Sequence, residues 1–451
     1  MKHNNLLFFC SFCKRHKWMT GVVLFIVAAG SSSAIAAGWT TPTIVGAPDA
    51  SWVATAGVDN KGNAVAAWLQ TDTSPYKVYA SLRKAGNLDF GRASGLSGPS
   101  TTNPYPLMAR IDRFRNIFVV WEDQGSVYSV VRPAGASSWP SAELIASGVS
   151  LAGFEVDGSG NATVLVGTAT AVQIIDRPAG GSWGGPQIIA SHTFSEVAGL
   201  AMADDGGAVA IWETYDKAFD FDTNIVLHAS RRQSWDGSWG PIADLSVPLT
   251  TLENSPTGSH AATIAMDPRG NAVVAGRRLD NDTNFTLGAL TSPADNDTWS
   301  ALEIVSAAGT QAGYPSVAVD ASGFATLVWA SGFPNSVLTA TAQVSANAWT
   351  APLRISQPGV STGYPAIGTN RAGAAVTTWP TINPNGSMSL QATIRPGRMA
   401  AWGTPVSVST SPAGLSNAHP WIDNVDRVLL VWNETPPSGI GQTTKTSTYL
   451  P

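Results

Sequence analysis

The side chains best equipped for chemistry gather in two stretches that interrupt an otherwise regular pattern. Residues 213–224 hold Glu213, Asp216, Asp220 and Asp222 beside Tyr215, Phe219 and Phe221, and residues 277–284 add Arg277, Arg278, Asp280 and Asp282. A third irregular stretch, 246–259, lies between them. Carboxylates orient polar groups by hydrogen bonding while aromatic rings stack, a mixture suited to sugar or peptide binding or to a weak calcium site. Two carboxyls about 5–10 Å apart over a cleft would instead serve a glycosidase. With Tyr314, at the start of a later strand, they define the expected ligand site: Glu213, Asp216, Asp222, Asp280 and Tyr314. No catalytic residue, metal ligand or cofactor is assigned, because no copy of the pattern shows a chemically complete departure from the others.

Other motifs carry less. Gly180-Gly-Ser182-Trp-Gly184 and Gly359-Val-Ser361-Thr-Gly363 match the spacing of a nucleophile elbow, but that motif needs a strand-to-helix turn and neither stretch offers one. His192, His228, His260 and His419 show no short ligand spacing and read as surface or pore-rim residues.

What must position these groups is a repeat. Asp-x-x-Gly-Asn, followed by an apolar run ending in Trp, recurs with Asp and Trp nine residues apart at Asp59 and Trp68, Asp112 and Trp121, Asp320 and Trp329, and Asp423 and Trp432. Asn370 and Trp379 keep that spacing, and decayed copies lie near Asp157, Asp204 and Asp267. A fixed period of this length means one supersecondary unit copied many times. Within a unit such as 313–357, Asp accepts backbone N–H bonds in a tight turn, Gly supplies positive φ, and four short strands alternate with turns. An outer-strand aromatic also recurs eight times: Trp39, Phe90, Trp139, Trp183, Trp239, Trp299, Trp349 and Trp402. This second series begins before the first Asp turn and has no member after Trp432. Circular closure follows, with residues 38–46 supplying the fourth strand of the unit begun at 419–449.

The expected fold is therefore all-β: a single propeller of eight four-stranded blades, with seven as the alternative. The first half of the unit, as in Pro315-Ser-Val-Ala-Val-Asp320-Ala-Ser-Gly323, resembles NHL-type repeats of exported bacterial β-propeller proteins, although these repeats are longer and add a Trp-x-x-Pro outer strand. The sialidase Asp box does not fit the nine-residue spacing. Quinone-dependent alcohol dehydrogenases also have eight blades, but their Trp lies nearer the turn Gly and their vicinal disulfide has no counterpart here. The resemblance implies a fold and no activity.

The N-terminus reads as an export signal over residues 1–36, leaving a propeller domain of 37–451. Lys14, Arg15, His16 and Lys17 precede the apolar run 22–29, and Ala34-Ile35-Ala36 offers a cleavage site. That run is short of the roughly 20 residues a membrane span needs. Both cysteines, Cys10 and Cys13, fall in this segment, so the mature chain has none. Removing the segment takes four cations and no acid, which carries the net charge from −5 to −9 and disfavours nucleic acid and anionic membranes as partners. The expectation is a secreted or periplasmic monomer, without cofactor, that binds glycan or protein on one rim. A glycoside hydrolase or lyase using rim carboxylates, and a structural envelope protein, are the alternatives.

Overall fold

The computed structural model describes residues 38–46, 51–71, 75–100, 103–191, 195–218, 221–245, 262–280, 284–294, 296–332, 336–438 and 441–451. The side chains of 53, 195–197, 215–218, 221–225, 278–280, 284 and 417 are left aside. The signal segment, His192, His260 and the stretch 246–259 therefore lie outside the described residues.

Eight sheets are present among the described residues, seven of them of four antiparallel strands in chain order from the inside outward. Blade 1 shows the plan: an inner strand Ser51–Val58, a second strand Ala64–Gln70, a third Lys77–Arg83 and a short outer strand Ser94–Gly95. Inner strands touch those of both neighbouring blades, and blade 1 meets blade 8, which closes the ring. The eight-bladed propeller is the observed architecture, and the seven-bladed alternative falls away.

Blade 8 starts at Gly414–Ile422 and is completed from the other end of the chain. Gly38–Trp39 and Thr43–Ile44 both pair with its third strand, Thr443–Leu450. Trp39 packs on Tyr449 at 5.5 Å between ring centroids, so the closing segment contributes core as well as hydrogen bonds. A closed ring leaves no inner sheet edge for another chain to extend, which suits a domain without disulfides.

The Asp turn links inner and second strands at the lower end of each blade. In blade 1, Asp59 Oδ1 accepts from the N–H groups of Lys61 and Asn63 at 2.9 and 2.8 Å, and Oδ2 accepts from Asn63 Nδ2 at 2.6 Å. Gly62 takes φ of 88°, as the turn demands. Arg115 and Asp426 hold the same position at 72° and 62° without being glycine. Blade 4 corrects the sequence reading. The buried turn position there is Ala203, whose N–H donates to Gly207 O while its carbonyl accepts from Gly206, and the nine-residue spacing runs from Ala203 to Trp212. Asp205, two residues on, supplies the side-chain acceptor for Gly207 N. The acidic pair beside Ala203 masked the register.

The motif tryptophans Trp68, Trp121, Trp212, Trp329, Trp379 and Trp432 are all at most 1% exposed. Each is a wedge against the preceding blade: Trp68 packs with Leu429 and Val431 of blade 8, and Trp121 with Val65 and Ala67 of blade 1. In blade 3, where Val166 replaces Trp, Phe118 and Phe154 share its cluster and supply the missing ring volume. Alanines 64, 66 and 67 fill the second strand of blade 1 because larger side chains have no room between sheets this near the axis.

Candidate functional site

Because successive strands run antiparallel, the starts of the inner strands and the hairpins joining second to third strands lie on one rim. The Asp turns lie on the other. The expected site residues belong to the first rim.

Two of its hairpins are long. In blade 4 the second and third strands extend to Ala208–Ala218 and Phe221–Arg232, and in blade 5 to Ala272–Asp280 and Asn284–Ser292. The stretches 213–224 and 277–284, expected as loop excursions, are thus mostly continued ladder: Asp216 pairs with Thr223, Lys217 with Asp222, and Asp280 with Asn284. Consecutive ladder bonds offset the cost of ordering the insertion, which a free loop could not do.

Among the expected site residues, the backbone places Asp216 and Asp222 on the blade 4 hairpin and Asp280 at the end of the blade 5 hairpin. Glu213 is only 6% exposed, within the blade 4 ladder opposite Glu196 and Leu227. Tyr314 starts the inner strand of blade 6, Ala312–Val319, and is half-buried. It touches two partners that sequence order does not suggest. The Arg277 guanidinium of blade 5 lies 4.5 Å from its ring centroid, and the Tyr364 ring, at the approach to blade 7, meets it edge-on at 5.0 Å. Phe285, on the third strand of blade 5, lies 3.8 Å from the same guanidinium.

Not all rim aromatics are packing. Tyr364, Tyr105 and Trp52 are 58%, 55% and 41% exposed, each beside the start of an inner strand. Tyr314 is packed against its neighbours, while these three rings face water.

Inside this rim a cavity of about 650 Å³ is bounded by inner strands of blades 1, 2, 6, 7 and 8. Its polar lining includes Thr55, Tyr105, Arg110, Ser316 and His419. Arg110, on the inner strand of blade 2, is held by both carboxylate oxygens of Glu155 in blade 3, at 2.6 and 3.0 Å. Enclosure works against the arginine's charge, but Glu155 more than offsets it and keeps the pKa above the ordinary value. His419 is exposed to water in the cavity and lies 5.7 Å from Trp421 between ring centroids. Desolvation by the surrounding protein, with the nearby Arg110 cation, holds its pKa down to about 4, so at neutral pH it is an uncharged donor and acceptor. His228 is different and corrects the surface reading: it is 9% exposed, hydrogen-bonded to Thr214 at 2.8 Å and stacked on Trp212. The two Gly-x-Ser-x-Gly matches fall between strands with no helix following, and among the described residues no group of His, Cys, Asp or Glu could hold a metal.

At the opposite mouth Arg371 of blade 7 donates to Asp204 of blade 4 at 2.5 Å, bridging blades that are not neighbours. Both side chains are largely in water, so the bridge adds little stability.

No protein-family model and no curated protein matches this sequence. Solved structures resemble it weakly. The polysaccharide lyase Uly1 is 9% identical with a TM-score of 0.46, covering 90% of this chain and 90% of its own. A protein of unknown function from Dyadobacter fermentans is 12% identical with a TM-score of 0.42, over 67% of this chain and 96% of its own. A catalytically inactive virginiamycin B lyase from Staphylococcus aureus, with quinupristin, is 11% identical with a TM-score of 0.41, over 77% and 96%. These likenesses concern fold alone, and the blades themselves define the class as an eight-bladed β-propeller.

Proposed function

We propose that this chain is an exported, non-catalytic binding propeller that holds a glycan on the rim where its inner strands begin. The supporting observation is the set of exposed rings on that rim, Tyr105, Tyr364 and Trp52, the first of which also lines a cavity carrying a few polar groups. Large rings exposed at one mouth cost solubility, and interfaces are where such side chains concentrate. Export rests on the basic and apolar pattern of residues 1–36.

Glycan is preferred to protein because the approach is end-on to the strands. A peptide that binds by strand addition needs a free sheet edge, and this rim presents strand ends instead. Sugar C–H faces need only ring surfaces and a few oriented polar groups. Asp216, Asp222 and Asp280, on the two long hairpins, are assigned to that polar role, with Tyr314 as the buttress beneath Tyr364. The cavity lining supports binding over hydrolysis: among its described residues the groups that titrate are Tyr105, Arg110 and His419, with no pair of carboxylates.

A glycan array probed with the purified protein, then with Tyr105→Ala and Tyr364→Ala, tests the reading. Each substitution should weaken binding about tenfold or more, as central aromatic contacts do, with unchanged melting. Binding indifferent to both would remove the rim from the account.

A further inference from the structure

Five arginines are buried among the described residues: Arg83, Arg231, Arg232, Arg277 and Arg395. Four have polar partners. Arg83 donates to Thr448 at 2.6 Å, Arg231 to the Gly270 carbonyl at 2.8 Å, Arg232 to Asp176 at 2.8 Å and Arg395 to Thr326 at 2.9 Å. Arg277 has none among the described residues, although it is only 7% exposed and its Nε is sealed from water. A buried guanidinium without an acceptor is costly, and proteins seldom retain one that nothing satisfies.

Its setting shows what could satisfy it. Phe285 and Tyr314 cover the guanidinium at 3.8 and 4.5 Å, and Tyr314 touches the exposed Tyr364. The Nη1 and Nη2 donors of Arg277 are not sealed as its Nε is, and a guanidinium fork suits a planar two-oxygen acceptor. The rings also hold the side chain in place, so little freedom remains to be lost on binding. The same four residues join an ordered cation to an exposed stacking ring across three consecutive blades.

We propose that Arg277 is the anion-recognition residue of this rim, and that it takes the carboxylate of an acidic sugar whose ring lies on Tyr364. The proposal rests on the rim-binding reading and narrows it to acidic glycans. Arg277 forms the paired hydrogen bonds, Phe285 and Tyr314 fix its plane, and Tyr364 supplies the stacking face. The overall negative charge makes this cation a local exception, so selectivity for acidic residues comes from one site and not from long-range attraction.

The test is titration calorimetry on the full chain with a panel of uronic-acid oligosaccharides. Each is paired with its neutral methyl ester, and a sulfated galactose oligosaccharide and a tetraglutamate peptide are included. The expected result is an acid bound at least about tenfold more tightly than its ester, the range for a charged hydrogen bond. Arg277→Gln should erase that ratio, and Arg277→Lys should restore part of it, since lysine keeps the charge without the fork. Tyr364→Ala should weaken acid and ester together and preserve their ratio. Equal binding of acid and ester by the parent chain overturns the proposal without needing any variant to fold, and so does a ratio unchanged in Arg277→Gln. Preference for the sulfated sugar overturns the carboxylate, and binding of tetraglutamate alone overturns the glycan. Sugar binding that survives Tyr364→Ala undiminished refutes the rim reading instead, and silence from the whole panel refutes both.

Discussion

Arg232 of blade 4 donates from Nη1 to Asp176 of blade 3 at 2.8 Å, across the seam between two sheets, with only 2% of the arginine side chain exposed. Thr163 completes the arrangement: it accepts from Arg232 at 3.1 Å and donates to Asp176 at 2.5 Å. Arg232 also lies over Trp239 of its own outer strand, as Arg83 does over Phe90 and Arg395 over Trp402. The repeated arginine thus ties the outer edge of a blade to its interior, and in each of the three it also donates to a threonine of the preceding blade: Thr448, Thr163 and Thr326.

Removing one member of that pair should be expensive. Arg232→Met or Asp176→Ala should each cost about 3 kcal/mol, near the low end for buried pairs because Asp176 keeps some contact with water. The double variant should cost clearly less than the sum. Urea unfolding of the four proteins measures this, and strict additivity would mean that the contact carries no coupling.

Closure by residues 38–46 predicts a large effect from a small deletion. Losing Trp39, half-buried against Tyr449, should cost less than the roughly 3–5 kcal/mol of a fully buried aromatic, and the lost strand pairing adds to it. The truncated chain should melt at lower temperature and associate through the exposed edge of Thr443–Leu450. A monomer with the parent melting temperature would contradict closure.

Arg277 should respond unlike the clamp arginines. Arg277→Met gives up two ring contacts but also an unpartnered buried charge, and these offset to within about 1 kcal/mol. Arg395→Met, which strands Thr326, should destabilise by more than that. Thermal melts of the two variants side by side decide it; equal losses would make Arg277 an ordinary structural residue.

His419 should titrate at about pH 4 when its ring C–H resonances are followed by NMR. Its folded pKa lies below the ordinary histidine value of about 6.5. The neutral ring therefore contributes stability that is fully present above that value and is lost as pH falls toward 4. In His419→Asn the decline in melting temperature across this window should be shallower. A midpoint at the ordinary value would mean that water reaches the ring from all sides.

The blades were legible because the signal is repeated: the turn at Asp59 and the wedge at Trp68 mean little alone, but eight related copies fix period, strand count and closure together. The register at Ala203 was hidden because Asp204 and Asp205 offered decoys of the right chemistry beside it. The hairpins of blades 4 and 5 looked like loops because charges interrupt their alternation, and only the ladder shows that pairing continues past Glu213 to Asp216. The rim cluster was half visible. Tyr105, Tyr314 and Tyr364 are marked by their shared Tyr-Pro dipeptides, but nothing local says which ring is buried. That Arg277 meets Phe285 and Tyr314 while lacking an acceptor is a relation among separate blades, which no spacing encodes.

Hydrogen–deuterium exchange with and without a bound oligosaccharide tests the central claim, that recognition occurs at the rim where the inner strands begin. The expected result is slowed exchange in 103–108, 312–316 and 362–367, around Tyr105, Tyr314 and Tyr364, with the opposite end unchanged. Protection confined to the Asp turns, at 59–63, 157–161 and 320–323, would place the ligand at the other mouth and contradict the account.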